Sequence, residues 1–305
     1  MKLLSKKLKI SSIKKMQKKL KKIAVDTNIF LKSFIKQQKK TDLVFPMRYG
    51  LFPGGKKIRS KVLIDIGSLF SINYKTLIKI GSAIECIHAY SLIHDDLPCM
   101  DNDRFRRGKL STHIKYGEST AILAGNSLLT MAFEILSDKK LMISDRIKTN
   151  LIKKLSECSG HTGIAGGQFL DLSFENKKIS LKKIIEMGTK KTGRLFSFCC
   201  ATPAILKGKD INTIKFFEKI GAEIGLLFQI ADDLIDYSGD AKKVGKRTRK
   251  DKKKGKATLI NLIGYKKTLI FARKLEKKIK NDLKKYDSKA ADLIQSIEFI
   301  LRREF

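Results

Sequence analysis

Residues 91–108, SLIHDDLPCMDNDRFRRG, place four aspartates beside three arginines at the end of an apolar run. The run before them, residues 80–94, has apolar residues at helical spacing, which predicts a buried helix that ends at Asp95 and Asp96. Carboxylates beside a buried helix need a counter-charge, because burying an isolated charge costs many kcal/mol. Oxygen ligands without Cys or His at zinc spacing favour Mg2+, and we expect Asp95 and Asp101 to bind it.

The spacing of these two aspartates sets a geometric condition. Residues six apart lie about 240° apart on a straight helix, so Asp95 and Asp101 would not share a face. Pro98 disfavours helix at Leu97, and the chain is therefore expected to turn there and bring Asp101 back toward Asp95. Taken alone, the motif also fits a solvated acidic helix end followed by a basic loop.

A second polar group occurs in residues 224–237, IGLLFQIADDLIDY. Gln229, Asp232, Asp233 and Asp236 fall at i, i+3, i+4 and i+7, on one stripe of an otherwise apolar helix. Neighbouring lysines could neutralise them, but several aspartates in an apolar run are costly without strong compensation. We predict that Asp232 and Asp236 form the second half of the metal site.

Composition indicates the fold class. The chain has 305 residues, four prolines and few strand signals, which predicts an all-α helical bundle. No linker composition divides it, so one large domain is expected.

The charge of the chain is unusual. Its 65 Lys and Arg against 30 Asp and Glu give a formal net charge of +35, which raises the alternative of a nucleic-acid-binding helical protein. The excess is mostly lysine spread over many segments. Residues 1–23 contain ten lysines and no acidic residue, and they fit either a membrane-surface helix or a first helix packed on the bundle.

Cysteine and hydropathy patterns predict the compartment. The five cysteines have no CxxC or metal spacing, as expected of reduced residues in a cytoplasmic protein. We expect no apolar run long enough to span a membrane.

A turn and a basic helix start occur at residues 54–59, GGKKIR. Two glycines allow the backbone to approach a ligand, and Lys56 and Arg59 then open a helix, which favours a diphosphate site. His88 lies two turns before Asp95 on the same helical face. By themselves these features also fit a surface turn and a core histidine.

Together these segments resemble the trans-prenyltransferase (polyprenyl synthase) family, most closely its bacterial farnesyl-forming members. DDLPCMD followed by RRG, and FQIADDLID, match the two aspartate-rich motifs of that family. The likeness extends from about Met47 to the C-terminus. It implies that residues 47–305 form the catalytic helical bundle around a central substrate cavity, and that residues 1–46 form a basic N-terminal extension with the first helix. It includes GGKKIR, ECIHAYSLIHDDLP, AILAGNSLL, GGQFLDL and KTG.

The resemblance implies an all-α homodimer that condenses isopentenyl diphosphate with dimethylallyl or geranyl diphosphate. It implies Mg2+, at three ions per site with Mn2+ as a substitute, and a C15 product. A synthase of longer chains is the alternative within the same class. A terpene cyclase would not need GGKKIR and His88 for a second diphosphate, and the intact aspartates disfavour an inactive partner subunit.

The resemblance also assigns individual roles. It assigns isopentenyl diphosphate to Lys56, Arg59, His88 and Arg107, and the allylic diphosphate to Arg106, Lys191, Lys246 and Lys256. Thr192 and Gln229 would stabilise the allylic cation with oxygen dipoles, and with Lys191 they form the expected catalytic group. Gln168 and Asp171 would line the cavity.

Product length is assigned differently by the helical wheel and by the resemblance. Ser91 lies about 40° from the face of Asp95 and Tyr90 about 140° from it, so the wheel favours Ser91 as the cavity floor. The resemblance assigns the limit to Tyr90, an aromatic residue five before the first aspartate. Because only Tyr90 is large enough to block a cavity, we predict that it limits the product to C15.

Overall fold

In a computed structural model, the chain is described over residues 2–39, 41–238 and 256–302, with side chains from residue 14 onward. Within those ranges it is helical apart from one short hairpin, β1 (Phe105–Arg106) and β2 (Lys109–Leu110), so the predicted all-α fold is confirmed. The helices are α1 (Lys2–Gln37), α2 (Val44–Leu51), α3 (Ile58–Leu69), α4 (Tyr74–Asp95), α5 (Thr112–Tyr116), α6 (Glu118–Ser137), α7 (Asp145–Ser159), α8 (Ile164–Ser173), α9 (Leu181–Gly188), α10 (Arg194–Leu206), α11 (Ile211–Ser238), α12 (Leu259–Ile263), α13 (Tyr265–Asp282) and α14 (Ala291–Arg302). A π-helical turn, Thr189–Gly193, joins α9 to α10, and a 3-10 segment, Lys284–Ala290, precedes α14.

Helix α4 lies in the centre of the bundle, between α3 and α6. It begins at Asn73, whose side chain accepts hydrogen bonds from the amides of Lys75 and Thr76 and so caps the first turn. Ile80, Ile84 and Ile87 are fully buried, and the helix is apolar on most of its circumference. A helix of this kind must be enclosed by others, which places its C-terminal aspartates at the end of a buried element.

The backbones of helices α10 and α11 are in direct contact. A Cβ on Gly221 would lie 2.4 Å from the carbonyl oxygen of Phe196, and a Cβ on Gly225 would lie 2.5 Å from the Cα of Gly193. The two glycines of α11 therefore permit its contact with α10 and with the π-helical turn. This contact sets the position of the polar stripe one turn later on α11.

A buried polar cluster joins α14 to α3. The Ser296 hydroxyl donates to Asp65 at 2.6 Å, and the Lys61 ammonium donates to Asp65 and, at 3.1 Å, to the Ser296 oxygen. All three are at most 4% exposed. Burial raises the pKa of Asp65 although Lys61 opposes the shift. Removing one member would leave an uncompensated buried group, so the cluster fixes α14 against α3.

Helix α1 packs on α3, α4 and α14. Met16, Leu20 and Ile23 are buried, and Lys19 pairs with Asp292 of α14 at 2.5 Å. The described side chains of this segment therefore favour a first helix packed on the bundle over a membrane-surface helix.

Two helices are long and apolar enough to cross a membrane by length and composition, Tyr74–Asp95 and Glu118–Ser137. The expectation that no apolar run has the required length was therefore wrong. In the 18-residue window of highest hydropathy, 72% of the residues of α4 and 44% of those of α6 are buried inside the bundle. A core helix of a bundle has the same composition as a membrane span, because both are enclosed by apolar groups.

Candidate active site

The first aspartate group lies where α4 ends. After Asp95 the chain turns at Pro98, and the amide of Asp101 donates to the carbonyl oxygen of Asp95 at 2.8 Å. The amide of Asp103 donates to the carbonyl oxygen of Asp96 at 3.1 Å. The predicted return of Asp101 toward Asp95 is confirmed.

The second group lies on α11. Gln229 donates from Nε2 to Oδ1 of Asp233 at 2.8 Å, one turn along the predicted stripe. Asp233 and Asp236 are buried, and Asp232 is half-buried. Asp233 therefore orients Gln229, and Asp232 and Asp236 stay the predicted metal ligands of this stripe.

Two lysines face the carboxylates at the centre of the site. Lys191 donates to Asp171 at 2.6 Å, and Lys256 donates to Asp101 at 3.0 Å and to Asp171 at 3.5 Å. Although burial opposes ionisation, Lys191 and Lys256 hold the pKa of Asp171 below its ordinary value. Asp171 thus connects the cationic side chains on two segments, a role that its sequence pattern did not indicate.

The negative charge of Asp95, at the end of α4, is only partly compensated by its neighbours. Burial raises its pKa to about 6, against the opposing field of Lys191. A divalent cation stabilises the ionised form of such a buried carboxylate more strongly than a lysine does. All the predicted metal ligands supply oxygen atoms. The donors therefore fit Mg2+. In the described ranges, no three acidic, His or Cys side chains are already clustered at metal-binding distance.

The arginines after the aspartates have different contacts. Arg106 donates from Nε to both carboxylate oxygens of Asp96 at 2.9 Å. Asp96 is buried and Arg106 is half-exposed. The carboxylate of Asp96 therefore holds the Arg106 guanidinium in place, and Asp96 is not a predicted metal ligand. Arg107 donates to the carbonyl oxygen of Gly54, and this contact places it against the GGKKIR turn.

A cationic cluster surrounds His88. Burial, and then the nearby charges of Arg59, Arg107, Lys57 and Arg106, lower the pKa of His88 well below its ordinary value. His88 is therefore neutral at physiological pH, and its ring can donate or accept one hydrogen bond. A concentration of positive charge around a neutral donor suits a diphosphate.

Lys57 belongs to this cluster, although the motif had indicated Lys56. Lys57 is 9% exposed, has a left-handed backbone with φ of 50°, and pairs with the buried Glu85 at 3.4 Å. Ser60 also donates to Glu85, at 3.0 Å. Ser60, in the first turn of α3, thus also makes a side-chain hydrogen bond to α4. The Lys56 ammonium lies 5.1 Å from the ring centre of Phe299.

Arg59 lies against two aromatic rings that contact each other, with their centroids 5.4 Å apart. Its guanidinium carbon is 5.1 Å from the ring centre of Phe196 and 5.6 Å from that of Phe228. Cations are attracted to aromatic ring faces, so the two rings hold Arg59 in one position. Phe228 directly precedes Gln229, and this links the cationic cluster to the second aspartate group.

The KTG element forms the π-helical turn. Thr192 is buried and donates from Oγ1 to Oε1 of Gln229 at 2.9 Å. A Cβ on Gly167 of α8 would lie 2.1 Å from the backbone nitrogen of Lys191, so α8 touches this turn at the backbone. A π-helical turn disrupts the regular hydrogen-bond ladder, a feature common at functional sites.

Thr192, Gln229 and Asp233 therefore form a chain of hydrogen bonds from α11 to the π-helical turn. A partly open cavity of about 60 Å³ lies beside it. Its polar lining includes Asp171, Lys191, Gln229, Asp233 and Lys256, and its apolar lining includes Ile184, Met187, Leu226 and Ile230. The site is thus polar at the aspartates and apolar away from them.

The two candidates for the cavity floor differ in their surroundings. Tyr90 is 8% exposed, its ring stands edge-on to His94 with centroids 5.7 Å apart, and its hydroxyl is 3.4 Å from the carbonyl oxygen of Ser159. Burial, followed by the charge of Asp95, raises the pKa of Tyr90 to about 12. Ser91 is half-buried and donates to the carbonyl oxygen of His88 at 3.0 Å.

Lys246 lies outside the described residues.

Comparison with known proteins extends this description. The family model described as polyprenyl synthetase matches residues 41–297. The chain is 40% identical over 254 residues to farnesyl diphosphate synthase of Escherichia coli (strain K12), covering 83% of this chain and 85% of that protein.

Two solved structures have the same fold. An FPP/GFPP synthase from Zymomonas mobilis, in its apo form, aligns with a TM-score of 0.82 and 34% identity over 94% of this chain and 99% of its own. A geranyltransferase from Helicobacter pylori, complexed with magnesium and isoprenyl diphosphate, aligns with a TM-score of 0.78 and 32% identity over 91% and 95% of the two chains.

Proposed function

The chain belongs to the polyprenyl synthetase family, and on this premise we propose that it is a Mg2+-dependent farnesyl diphosphate synthase. It condenses isopentenyl diphosphate with dimethylallyl diphosphate, and then with geranyl diphosphate, and each step releases one diphosphate. The nucleic-acid-binding alternative suggested by the net charge is not favoured.

The observation that carries the proposal is the presence of two separate anion-binding groups in one site. The aspartates, Lys191 and Lys256 suit a metal-bound diphosphate, whereas the cationic cluster around His88 suits a diphosphate held by side chains. An enzyme that joins two diphosphate esters needs both groups.

Asp95, Asp101, Asp232 and Asp236 would hold Mg2+, with three ions per site and Mn2+ as a substitute. When bound, the metal neutralises the diphosphate oxygens and so favours their departure from the allylic carbon. The Helicobacter pylori relative, solved with magnesium and isoprenyl diphosphate, supports the use of Mg2+.

The residues of this chain have distinct roles around the leaving group. Lys191 and Lys256 hold the diphosphate as its bond to the allylic carbon breaks. Both ammonium groups already lie beside the site carboxylates, Lys191 on Asp171 and Lys256 on Asp101. When the substrate binds, the Lys256 ammonium exchanges its carboxylate partner for a phosphate oxygen. Lys246 and Arg106 are further proposed contacts to the same diphosphate.

Thr192 and Gln229 stabilise the allylic cation. Asp233 accepts a hydrogen bond from the amide nitrogen of Gln229, and Oε1 of Gln229 accepts one from the Thr192 hydroxyl, so the lone pairs of both side-chain oxygens have defined directions. Oriented dipoles of this kind stabilise developing charge without reorganisation during the reaction. The isopentenyl double bond attacks the cation, and the departed diphosphate accepts the proton that is lost.

The second substrate is positioned by Arg59, Arg107, His88 and Lys56. Arg107 is held by Gly54, and Arg59 by its two aromatic neighbours, so both guanidinium groups have fixed positions before binding. Preorganised cations lose less conformational freedom when the ligand binds.

We also propose that the enzyme is a homodimer in the cytoplasm. Exposed apolar side chains lie on the mutually packed helices α2, α5 and α6, namely Phe45, Ile114, Ile122 and Leu123. A surface of this kind is costly in a monomer, and a second copy would cover it. Four of the five cysteines are buried and all are free, in keeping with a reducing compartment.

One assay tests the proposed function. Purified protein is incubated with Mg2+, labelled isopentenyl diphosphate and dimethylallyl diphosphate, and the products are sized by chromatography. Formation of a C15 diphosphate that stops on addition of EDTA is expected. An absence of condensation under these conditions would contradict the proposal.

A further inference from the structure

The position of Lys56 depends on a residue near the other end of the chain. Lys56 lies in the turn formed by residues 54–57, where Gly54 and Gly55 have φ of 94° and 122°. Its side chain is exposed. A lysine side chain has about 2 kcal/mol of rotamer entropy to lose on being fixed. The turn itself does not fix the ammonium group.

Phe299 of α14 supplies a surface against which the ammonium group lies. Its ring centre lies 5.1 Å from the Lys56 ammonium, within the range at which a ring face attracts a cation. Phe299 is half-buried, so the ring has little freedom of its own. The same turn contacts Arg107 through Gly54, so the ring holds Lys56 beside the cationic cluster.

The ring is held in turn by the buried polar cluster described above. Ser296 lies one helical turn before Phe299 and is bonded to Lys61 and Asp65 of α3. Ile297 and Ile300 of α14 are buried, and their packing fixes the rotation of the helix about its own axis. Helix α3, which directly follows the turn of residues 54–57, therefore also fixes the height and orientation of the Phe299 ring.

We infer that Phe299 is a positioning residue for isopentenyl diphosphate, acting through Lys56, and this inference rests on the proposed function. The ring does not touch the reacting atoms. It restricts Lys56 to the edge of the second diphosphate site, and so reduces the conformational freedom lost when that substrate binds.

The test uses the full-length protein and a double-mutant cycle of Lys56→Ala and Phe299→Leu. Leucine keeps the apolar packing and removes the ring face. The dissociation constant of isopentenyl diphosphate is measured by calorimetry without allylic substrate, and KM and kcat are measured for both substrates. Phe299→Leu is expected to raise the isopentenyl diphosphate constants about two- to fivefold. kcat and the allylic KM should be unchanged.

Three controls separate positioning from a general effect on the fold. Phe299→Tyr keeps a ring face and should restore wild-type binding. Phe216→Leu removes a ring that lies 3.7 Å from the Lys285 ammonium outside the site, and should leave both substrates unaffected. In the Lys56→Ala background, Phe299→Leu should have no further effect on binding.

Additive effects in the double mutant, or equal losses for both substrates, would overturn the inference. Unchanged binding in Phe299→Leu would overturn it as well. A wild-type protein that binds isopentenyl diphosphate without forming product would instead sink the proposed function. The calorimetric cycle would still decide the role of Phe299 in that case.

Discussion

Replacing Tyr90 with alanine should lengthen the product. The lost phenol group has more heavy atoms than one five-carbon isoprene unit, so the space it leaves accommodates at least one further unit. Because Tyr90 is buried one turn and a half before Asp95, this space adjoins the helix that carries the metal ligands. Products of C20 and longer are expected in place of C15.

The substitution also has a cost in stability. Truncating a buried aromatic residue lowers the free energy of unfolding by about 3 kcal/mol, because the edge-on contact with His94 and the packing are lost. The Tyr90 hydroxyl, at 3.4 Å from the Ser159 oxygen, contributes only a weak hydrogen bond. Tyr90→Phe is therefore the matched control and should keep both the stability and the C15 product.

Product chromatography with labelled isopentenyl diphosphate measures the outcome, with circular dichroism to confirm that the variant is folded. Ser91→Ala provides the comparison for the wheel-based alternative and should not change the product. A folded Tyr90→Ala enzyme that still stops at C15 would refute the reasoning, as would a wild-type product already longer than C15.

Three further substitutions test other contacts of the site. Asp96→Ala leaves Arg106 without its partner and should lower the free energy of unfolding by about 3 kcal/mol in urea denaturation; an unchanged midpoint would contradict this. Thr192→Val removes the hydroxyl bonded to Gln229 and should lower kcat roughly tenfold to a hundredfold with little change in either KM. An effect confined to KM would mean that Thr192 acts in binding. Arg59→Ala should raise KM for isopentenyl diphosphate far more than for the allylic substrate, and steady-state kinetics with equal effects on both would remove its assignment.

Local sequence rules predicted the parts of the site that depend on one segment. The end of α4 at Asp95, the return of Asp101 after Pro98 and the stripe on α11 follow from helical periodicity and proline geometry. Each of these three predictions depends only on the spacing of residues that are close together in the sequence.

Contacts between distant segments could not be predicted in the same way. The pairing of Lys57 with Glu85, the lysines on Asp171 and the ring of Phe299 beneath Lys56 depend on how helices pack. The motif at residues 54–59 contains adjacent lysines, and nothing in their order distinguishes the buried one. The left-handed backbone of Lys57, which turns it inward, is set by tertiary structure.

The expectation that no apolar run has the length of a membrane span was wrong for a related reason. Length and composition qualify α4 as a span, and only its enclosure by other helices identifies it as a core element.

The π-helical turn affects which length changes the chain can tolerate. Each hydrogen bond of such a turn encloses one more residue than in an α-helix, so α9 and α10 are out of phase with each other across Thr189–Gly193. Deleting one residue there would let a regular α-helix run from α9 into α10 in nearly the present orientation, because the five residues of the turn advance about as far around the axis as four α-helical residues. The apolar residues of α10 would keep facing α11, but the turn that places Thr192 against Gln229 would be lost. Homologous chains that keep this site should therefore conserve the number of residues in the segment more strictly than their identity.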